Sequence, residues 1–172
     1  LESRLKTGMK PVYQAIQAEI IRDVDDHFRD EKSENAHWAP LASQTIINRE
    51  KRLKSPKTSR GILKDRGLLR GSFLGRTKTN NQVTALQARV GTAVEYAGIH
   101  NFGGIIHVGE QRPKPGKKAL RFYDGGGNPV FAKKIKAHSV RIPKREFAWI
   151  SKKSKDAMTK IVASQLQKDW DK

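Results

Sequence analysis

Apolar residues recur at helical spacing near both ends of the chain. A first helix is predicted over about residues 10–28, because side chains repeat every four positions there: Val12, Ile16, Ile20, Val24 and Phe28. We place Pro11 in its first turn, where a missing N–H has no helical partner to lose. A second amphipathic helix is predicted from about residue 151 to the end, with one apolar face: Met158, Ile161, Val162, Leu166 and Trp170.

Two shorter helices are predicted between these two. Ser43 is a candidate N-cap for a basic helix that runs to about Leu53, and the polar residues 54–61 that follow indicate a loop. Asp65 is the expected N-cap of the next helix, whose apolar residues are Leu68, Leu69 and Phe73.

The pattern then changes from helical spacing to alternation, which is typical of strands. Leu86, Ala88 and Val90 share one face of a predicted strand. Residues 105–108 and 119–123 are predicted to be extended, with a Pro-, Gly- and Lys-rich stretch between them. The Gly-rich residues 124–129 are the strongest turn signal, and they predict a hairpin that joins residues 120–123 to a partner strand continuing raggedly to residue 142.

These elements predict an α+β fold: a small antiparallel β-sheet with a long β-hairpin, flanked by amphipathic helices at the two ends of the chain. A length of 172 residues is close to that of one domain. We therefore expect residues 1–172 to form a single domain, with extended basic excursions at about residues 105–142. No stretch reaches the roughly 20 apolar residues that span a bilayer, so no membrane partner is expected.

The charge of the chain is strongly one-sided. Its 35 Lys and Arg residues against 17 Asp and Glu give a formal net charge of +18, which indicates a polyanion or an acidic protein surface as a partner, although a solvated surface is the ordinary interpretation of a charge run. The basic residues are densest after residue 110. No helix-turn-helix, zinc finger or base-stacking strand is apparent, so any DNA contact would be sequence-independent. Candidate contacts with DNA or with another subunit are Lys133, Lys134, Lys136 and Arg141.

No catalytic or metal-binding motif is apparent in the sequence, so no enzymatic activity and no cofactor are predicted. The chain has no cysteine, and its five histidines match no metal-ligand spacing. We expect His100 to make a hydrogen bond in the core and the other histidines to be exposed. The acidic residues 23–34 indicate a solvated helix face, and Asp124 is explained by a turn.

Four short segments, in order, resemble the phage virion morphogenesis family. The most specific one is Tyr96-Ala97-Gly98-Ile99-His100-Asn101-Phe102-Gly103-Gly104, which is similar to the family's Y-A-x-I-H-x-F-G-G. The other three are Trp38-Ala39-Pro40-Leu41 with Thr45, Gly67-Leu68-Leu69 with Ser72, and Ile142-Pro143-Lys144-Arg145-Glu146-Phe147. Arg66 stands where the family usually has threonine, and Glu146 replaces a second proline.

We call the matching residues of these segments the signature residues, and we expect them to be structural. They are Trp38, Pro40, Leu41, Thr45, Gly67, Leu69, Ser72, Tyr96, Ala97, His100, Phe102, Gly103, Gly104, Pro143, Arg145 and Phe147. Their large apolar members are expected in the core: Trp38, Leu69, Tyr96, Phe102 and Phe147. Gly103 and Gly104 are expected where the backbone excludes a side chain.

The resemblance implies a tail-completion or neck protein of a tailed phage or prophage. Such a protein acts in head–tail joining as part of a ring of identical subunits, contacts other neck and tail proteins and performs no bond chemistry. Its expected location is the virion, and the host cytoplasm during assembly. Two other functions stay open from the residues: sequence-independent binding of DNA through the basic surface, and a small nuclease or toxin, which incubation with plasmid and magnesium would reveal.

Overall fold

The computed structural model describes residues 2–53, 61–124 and 126–170, with side chains from residue 9 to residue 168 in these ranges. Its helices are α1 (Glu2–Asp30), α2 (Ser43–Leu53), α3 (Leu68–Phe73), α4 (Ala97–Phe102) and α5 (Lys152–Trp170). Its strands are β1 (Gln82–Val83), β2 (Ala88–Arg89), β3 (Gly104–Val108), β4 (Leu120–Tyr123), β5 (Pro129–Ala132) and β6 (His138–Ile142). The α+β class and the two terminal helices are as predicted. Within the described ranges, no helix is long and apolar enough to cross a membrane.

The core is built around the end of α1. Phe28 is fully buried, and its ring lies 5.1 Å from that of Phe147, 5.6 Å from that of Trp38 and 6.2 Å from that of Phe73. The buried cluster consists of Val24, Phe28, Trp38, Leu69, Phe73, Val94, Ala97 and Phe147. Residues that are far apart in sequence therefore share one apolar interior. The predicted burial of Trp38, Leu69 and Phe147 is confirmed.

Two aromatic signature residues were predicted to be buried, and this was wrong. Tyr96 is 44% exposed and Phe102 is 74% exposed. The reason is the short helix α4, which turns only Ala97 and Asn101 inwards, four positions apart. Tyr96 and Phe102 flank this buried pair and consequently face outwards.

The strands form three separate two-stranded antiparallel ribbons rather than the single small sheet that was expected. The predicted hairpin is confirmed, with Leu120 opposite Ala132 and Tyr123 opposite Pro129. Asp124 forms its turn, because Oδ1 accepts hydrogen bonds from the backbone N–H groups of Gly126 and Asn128.

Residues 104–142 together form one long antiparallel excursion, which we call the arm. At its base β3 pairs with β6 along five residues of each strand, and at its tip β4 pairs with β5. Between base and tip, the backbone pairing of the two sides among the described residues is limited to a bridge from Gln111 to Ile135. Regular pairing is interrupted there because Pro113 and Pro115 have no N–H to donate.

Three further predictions of detail were wrong. Pro11 lies inside α1 and not in its first turn, since the helix begins at Glu2 and loses only one backbone donor there. Asp65 does not cap α3: the N-cap position is Gly67 with φ 72°, and Asp65 instead pairs with Arg52. Leu86 lies before the two-residue strand β2 and is 68% exposed.

Helix α5 packs against α1, and polar side chains hold its first turn there. Asp23 of α1 accepts hydrogen bonds from the backbone N–H of Ser151 (2.8 Å) and from its hydroxyl (2.6 Å). The Ser151 hydroxyl oxygen in turn accepts from the N–H of Ser154, as in a helix N-cap. The position of α5 is thus tied to the middle of α1.

Candidate functional site

A groove of about 770 Å³ lies between the segment 40–49, the segment 63–69, α4 and the base of the arm. Nine signature residues line it: Pro40, Leu41, Thr45, Gly67, Leu69, Tyr96, His100, Pro143 and Arg145. The structure therefore brings together residues from all four of the segments that resembled the family. Trp38, Ser72, Ala97 and Phe147 lie in the interior instead, and Phe102, Gly103 and Gly104 lie where α4 meets the arm.

Arg145 joins the walls of the groove. Its side chain is 5% exposed and donates hydrogen bonds to the backbone carbonyls of Ala39 (2.9 Å) and Pro40 (3.0 Å). Its backbone N–H donates to the carbonyl of His100 (2.8 Å). Burial, and then the charge of Arg49, lowers the pKa of Arg145 from its ordinary value. The guanidinium group is thus a structural brace that also supplies positive charge.

Asn101 holds the segment that follows the arm and leads into the core. Its Oδ1 accepts hydrogen bonds from the backbone N–H groups of Phe147 (3.0 Å) and Ala148 (2.9 Å). The sequence pattern singled out its neighbours His100 and Phe102 but not Asn101. In the sequence, the only indication of its role is that this polar residue lies on the same face of a short helix as Ala97.

The two glycines at the base of the arm are positions where a side chain does not fit, as expected. Gly103 has φ 72°, and a Cβ atom there would lie 2.8 Å from the backbone nitrogen of Lys144. A Cβ atom on Gly104 would lie 2.6 Å from Cδ1 of Ile99. The close approach of α4 to the segment after β6 therefore requires glycine at position 103, whereas at position 104 the positive φ of 156° disfavours a side chain.

The histidines differ from the prediction. His27 was expected to be exposed, but it is buried, its ring stacks on Trp149 at 4.1 Å, and Nδ1 lies 3.0 Å from the carbonyl oxygen of Phe147. The signal for this was its position on the apolar face of α1, three residues after Val24. His100 lines the groove, and its Nδ1 has no hydrogen-bond partner among the described residues, contrary to the predicted core hydrogen bond.

His100 should make the fold sensitive to mild acid. Burial lowers its pKa, with a smaller contribution from the charge of Arg145. As pH falls below the ordinary value of about 6.5, the unfolded chain therefore takes up a proton before the folded chain does, and the free energy of unfolding decreases. We expect urea denaturation at pH 7.5 and 5.5 to show a smaller decrease for His100→Gln than for the parent. An equal decrease in both proteins would contradict this assignment.

The arm carries a dense group of unpaired positive charges. Residues 104–142 include nine Lys and Arg residues but only two acidic ones, Glu110 and Asp124. Glu110 pairs with both Arg112 (2.7 Å) and Lys134 (3.4 Å). Among the described residues, the other arm cations have no ion-pair partner: Lys114, Lys117, Lys118, Arg121, Lys133, Lys136 and Arg141.

The tip of the arm touches α2. The Nζ atom of Lys51 lies 3.2 Å from the centre of the Tyr123 ring, and it donates a hydrogen bond to the carbonyl of Gly127. Large apolar side chains along the arm nevertheless stay in water: Ile105 is 59% exposed and Phe131 is 64% exposed. A two-stranded ribbon is only marginally stable by itself in water, and this exposed apolar surface is available for contacts with another molecule.

Nothing in the described residues is arranged as a metal centre, since no three His, Asp or Glu side chains come close enough together to hold an ion. The groove and the arm are therefore the two features that suggest a function, and both are suited to contacts with another macromolecule.

The comparison with protein families agrees with the resemblance of the four segments. The sequence profile of the phage virion morphogenesis family matches residues 1–167, which is nearly the whole chain. No curated protein and no solved structure is significantly similar to the chain. With a match of this extent, the chain belongs to the phage virion morphogenesis family.

Proposed function

We propose that this protein completes the phage tail at the neck, where it joins head to tail as one subunit of a ring and performs no bond chemistry. Membership in the family supports a structural role in assembly of the virion. We propose that residues 1–172 act as one assembly domain, which the shared core of Phe28, Trp38 and Phe147 supports.

The observation that carries the proposal is the amount of surface that the chain exposes. Its accessible surface is 12254 Å², whereas a compact monomer of 19.4 kDa exposes about 8,500 Å². The difference of about 3,700 Å² is enough for several standard interfaces, which bury about 800 Å² on each partner. A ring gives each subunit two such neighbours through head-to-tail contacts.

Deletion of the gene from its phage tests the neck assignment. We expect heads that form and package DNA, together with defective tails or heads and tails that remain unjoined. The measurement is negative-stain microscopy of lysates, combined with nuclease protection of packaged DNA. Accumulation of empty, unpackaged heads would contradict the assignment and would favour a role in head maturation.

A second function, sequence-independent DNA binding, is favoured by the unpaired cations of the arm. The acidic side chains of α1 that the structure describes already have partners within the chain, as in the pairs of Asp25 with Arg70 and Asp26 with Arg29. A second copy therefore offers few free carboxylates to the arm. A phosphate backbone supplies the missing negative charge.

The triple substitution of Lys133, Lys134 and Lys136 by Gln tests the arm directly. These side chains lie outside the core, so we expect unchanged thermal stability. Binding of duplex DNA should weaken at least tenfold, and the slope of log affinity against log salt should become shallower by up to about three. The matched control replaces Lys152, Lys153 and Lys155 on α5 by Gln, with the same loss of charge. Equal weakening by the two triple variants would show attraction to net charge rather than contact through the arm.

A further inference from the structure

The groove combines apolar walls with a cationic rim. Leu41, Leu68 and Val140 contribute apolar side chains, and Leu69 is 1% exposed at the interior side. Asp65 is the only acidic residue among the described residues that line this space. Four arginines line it: Arg49, Arg66, Arg141 and Arg145. A ligand that fills this groove must therefore bring apolar surface and negative charge together.

The single carboxylate does not neutralise the rim, because it is already engaged. Asp65 pairs with Arg52, which lies beside the groove, and is 3.8 Å from Arg49. The hydrogen bond from Arg52 holds the pKa of Asp65 below its ordinary value, so the group is ionised at neutral pH. The charge that remains on the rim therefore belongs to the other arginines.

Two of the four arginines have no side-chain donor engaged by a described residue. Arg145 is committed to the carbonyls of Ala39 and Pro40, and Arg49 donates to the carbonyl of Gly61. The side chains of the remaining two, Arg66 and Arg141, donate no hydrogen bond to any described residue, and both residues are exposed. A guanidinium group binds a carboxylate through two parallel hydrogen bonds, which makes this pair suited to acidic side chains.

We propose that the groove binds a peptide segment of a different protein of the particle, in which acidic residues flank a large apolar side chain. This inference rests on the proposed function and names a partner for it. The apolar side chain would lie against Leu68, Leu69 and Val140, and the carboxylates would meet Arg66 and Arg141. A nucleic-acid backbone would satisfy the arginines but leave the apolar wall in water.

A second copy of this chain is a poorer occupant. Among the described residues, the carboxylates without an ion pair are Glu34, Glu50, Glu95, Asp124 and Asp156, of which Asp124 already accepts backbone hydrogen bonds in its own turn. Glu50 lies between Arg49 and Lys51, and Asp156 follows Lys155, so the local charge of both segments is not negative. The net charge of +18 on each copy also makes a second copy a poor occupant of a groove whose rim is cationic.

Peptide binding by the purified full-length chain tests the proposal. The probe is a fluorescein-labelled peptide, Glu-Glu-Leu-Phe-Glu-Glu, and the measurement is fluorescence anisotropy at about 150 mM salt, where long-range attraction is screened. One control peptide replaces Leu-Phe by Ala-Ala at the same charge, and a second replaces every Glu by Gln. We expect both control peptides to bind at least tenfold more weakly. Equal binding of the Ala-Ala peptide, or no binding of the probe, would overturn the proposal.

Two double variants with equal loss of charge locate the site. We expect Arg66→Gln with Arg141→Gln to weaken binding of the probe at least tenfold, because bidentate contacts are lost. Lys114→Gln with Lys117→Gln, on the arm outside the groove, should change it less than twofold. Equal weakening by both would show non-specific attraction and reject the groove. Circular dichroism and thermal melting of each variant confirm that the chain is folded.

In assembled particles, a photo-crosslinking residue at Leu68 identifies the occupant of the groove. Cross-linking to an acidic segment of another particle protein supports the proposal, whereas a cross-link to a second copy overturns it. Failure of the peptide experiment leaves the deletion phenotype unaffected. The groove assignment and the neck assignment are therefore tested separately.

Discussion

Phe147→Ala should destabilise the protein by about 3 to 5 kcal/mol, the usual range for truncating a buried phenylalanine. Phe147 is 1% exposed, and its ring contacts those of Phe28, Trp38 and Phe73. The variant leaves a cavity at the point where α1 meets the segment that leads to α5. The measurement is urea denaturation followed by tryptophan fluorescence, and we expect assembly to be lost through misfolding.

Tyr96→Ala is the matched control, because it also truncates an aromatic signature residue. Tyr96 is 44% exposed at the groove, so its loss should change the free energy of unfolding by less than about 1 kcal/mol. If the two substitutions destabilise the protein equally, the placement of Tyr96 outside the core is wrong.

Asn101→Ala should also be strongly destabilising, by about 2 to 4 kcal/mol, because two donors lose their acceptor. The N–H groups of Phe147 and Ala148 both donate to Asn101 Oδ1, the first of them in the buried interior. Unlike Phe147→Ala, this change creates only a small cavity. The expected effect therefore comes from unsatisfied polar groups rather than from lost apolar contacts.

Asn80→Ala provides the comparison for Asn101→Ala. Asn80 donates one hydrogen bond to the carbonyl of Thr92, at an exposed position. Water replaces such a bond on the surface, so we expect a change below about 1 kcal/mol in the same urea measurement. Similar effects of the two substitutions would indicate that the N–H groups of residues 147 and 148 find another acceptor.

The arm and the groove together explain how a chain without recognisable catalytic residues participates in assembly. The arm exposes large apolar side chains and unpaired cations, and the groove is the place where we propose that a segment of another protein binds.

Local sequence patterns were sufficient for the terminal helices, the hairpin and its turn. Val24 and Phe28 lie on the apolar face of α1 as predicted, since helical spacing depends only on neighbours along the chain. The turn at Asp124 forms because its carboxylate bonds to backbone N–H groups two and four residues later. The four signature segments likewise identified the family before any packing was known.

Other features depended on contacts between distant residues, which no local pattern contains. Tyr96 and Phe102 are exposed because α4 presents only Ala97 and Asn101 to the interior. Asp65 meets Arg52 across a gap of 13 residues instead of capping α3. The apolar character of Tyr96 and Phe102 and the capping preference of Asp65 were thus both overridden by the way in which these segments pack against the rest of the chain.

The sequence by itself determined the α+β class, the amphipathic terminal helices, the hairpin, the excess of positive charge and the family. Only the tertiary structure decided that nine signature residues surround one groove, that Arg145 braces its walls and that seven of the nine arm cations have no ion-pair partner among the described residues. The physical reason is that periodicity and turn chemistry act over a few residues. A groove and its unpaired charges arise when segments about 100 residues apart, such as 39–40 and 145, are brought together by burial of the same apolar core.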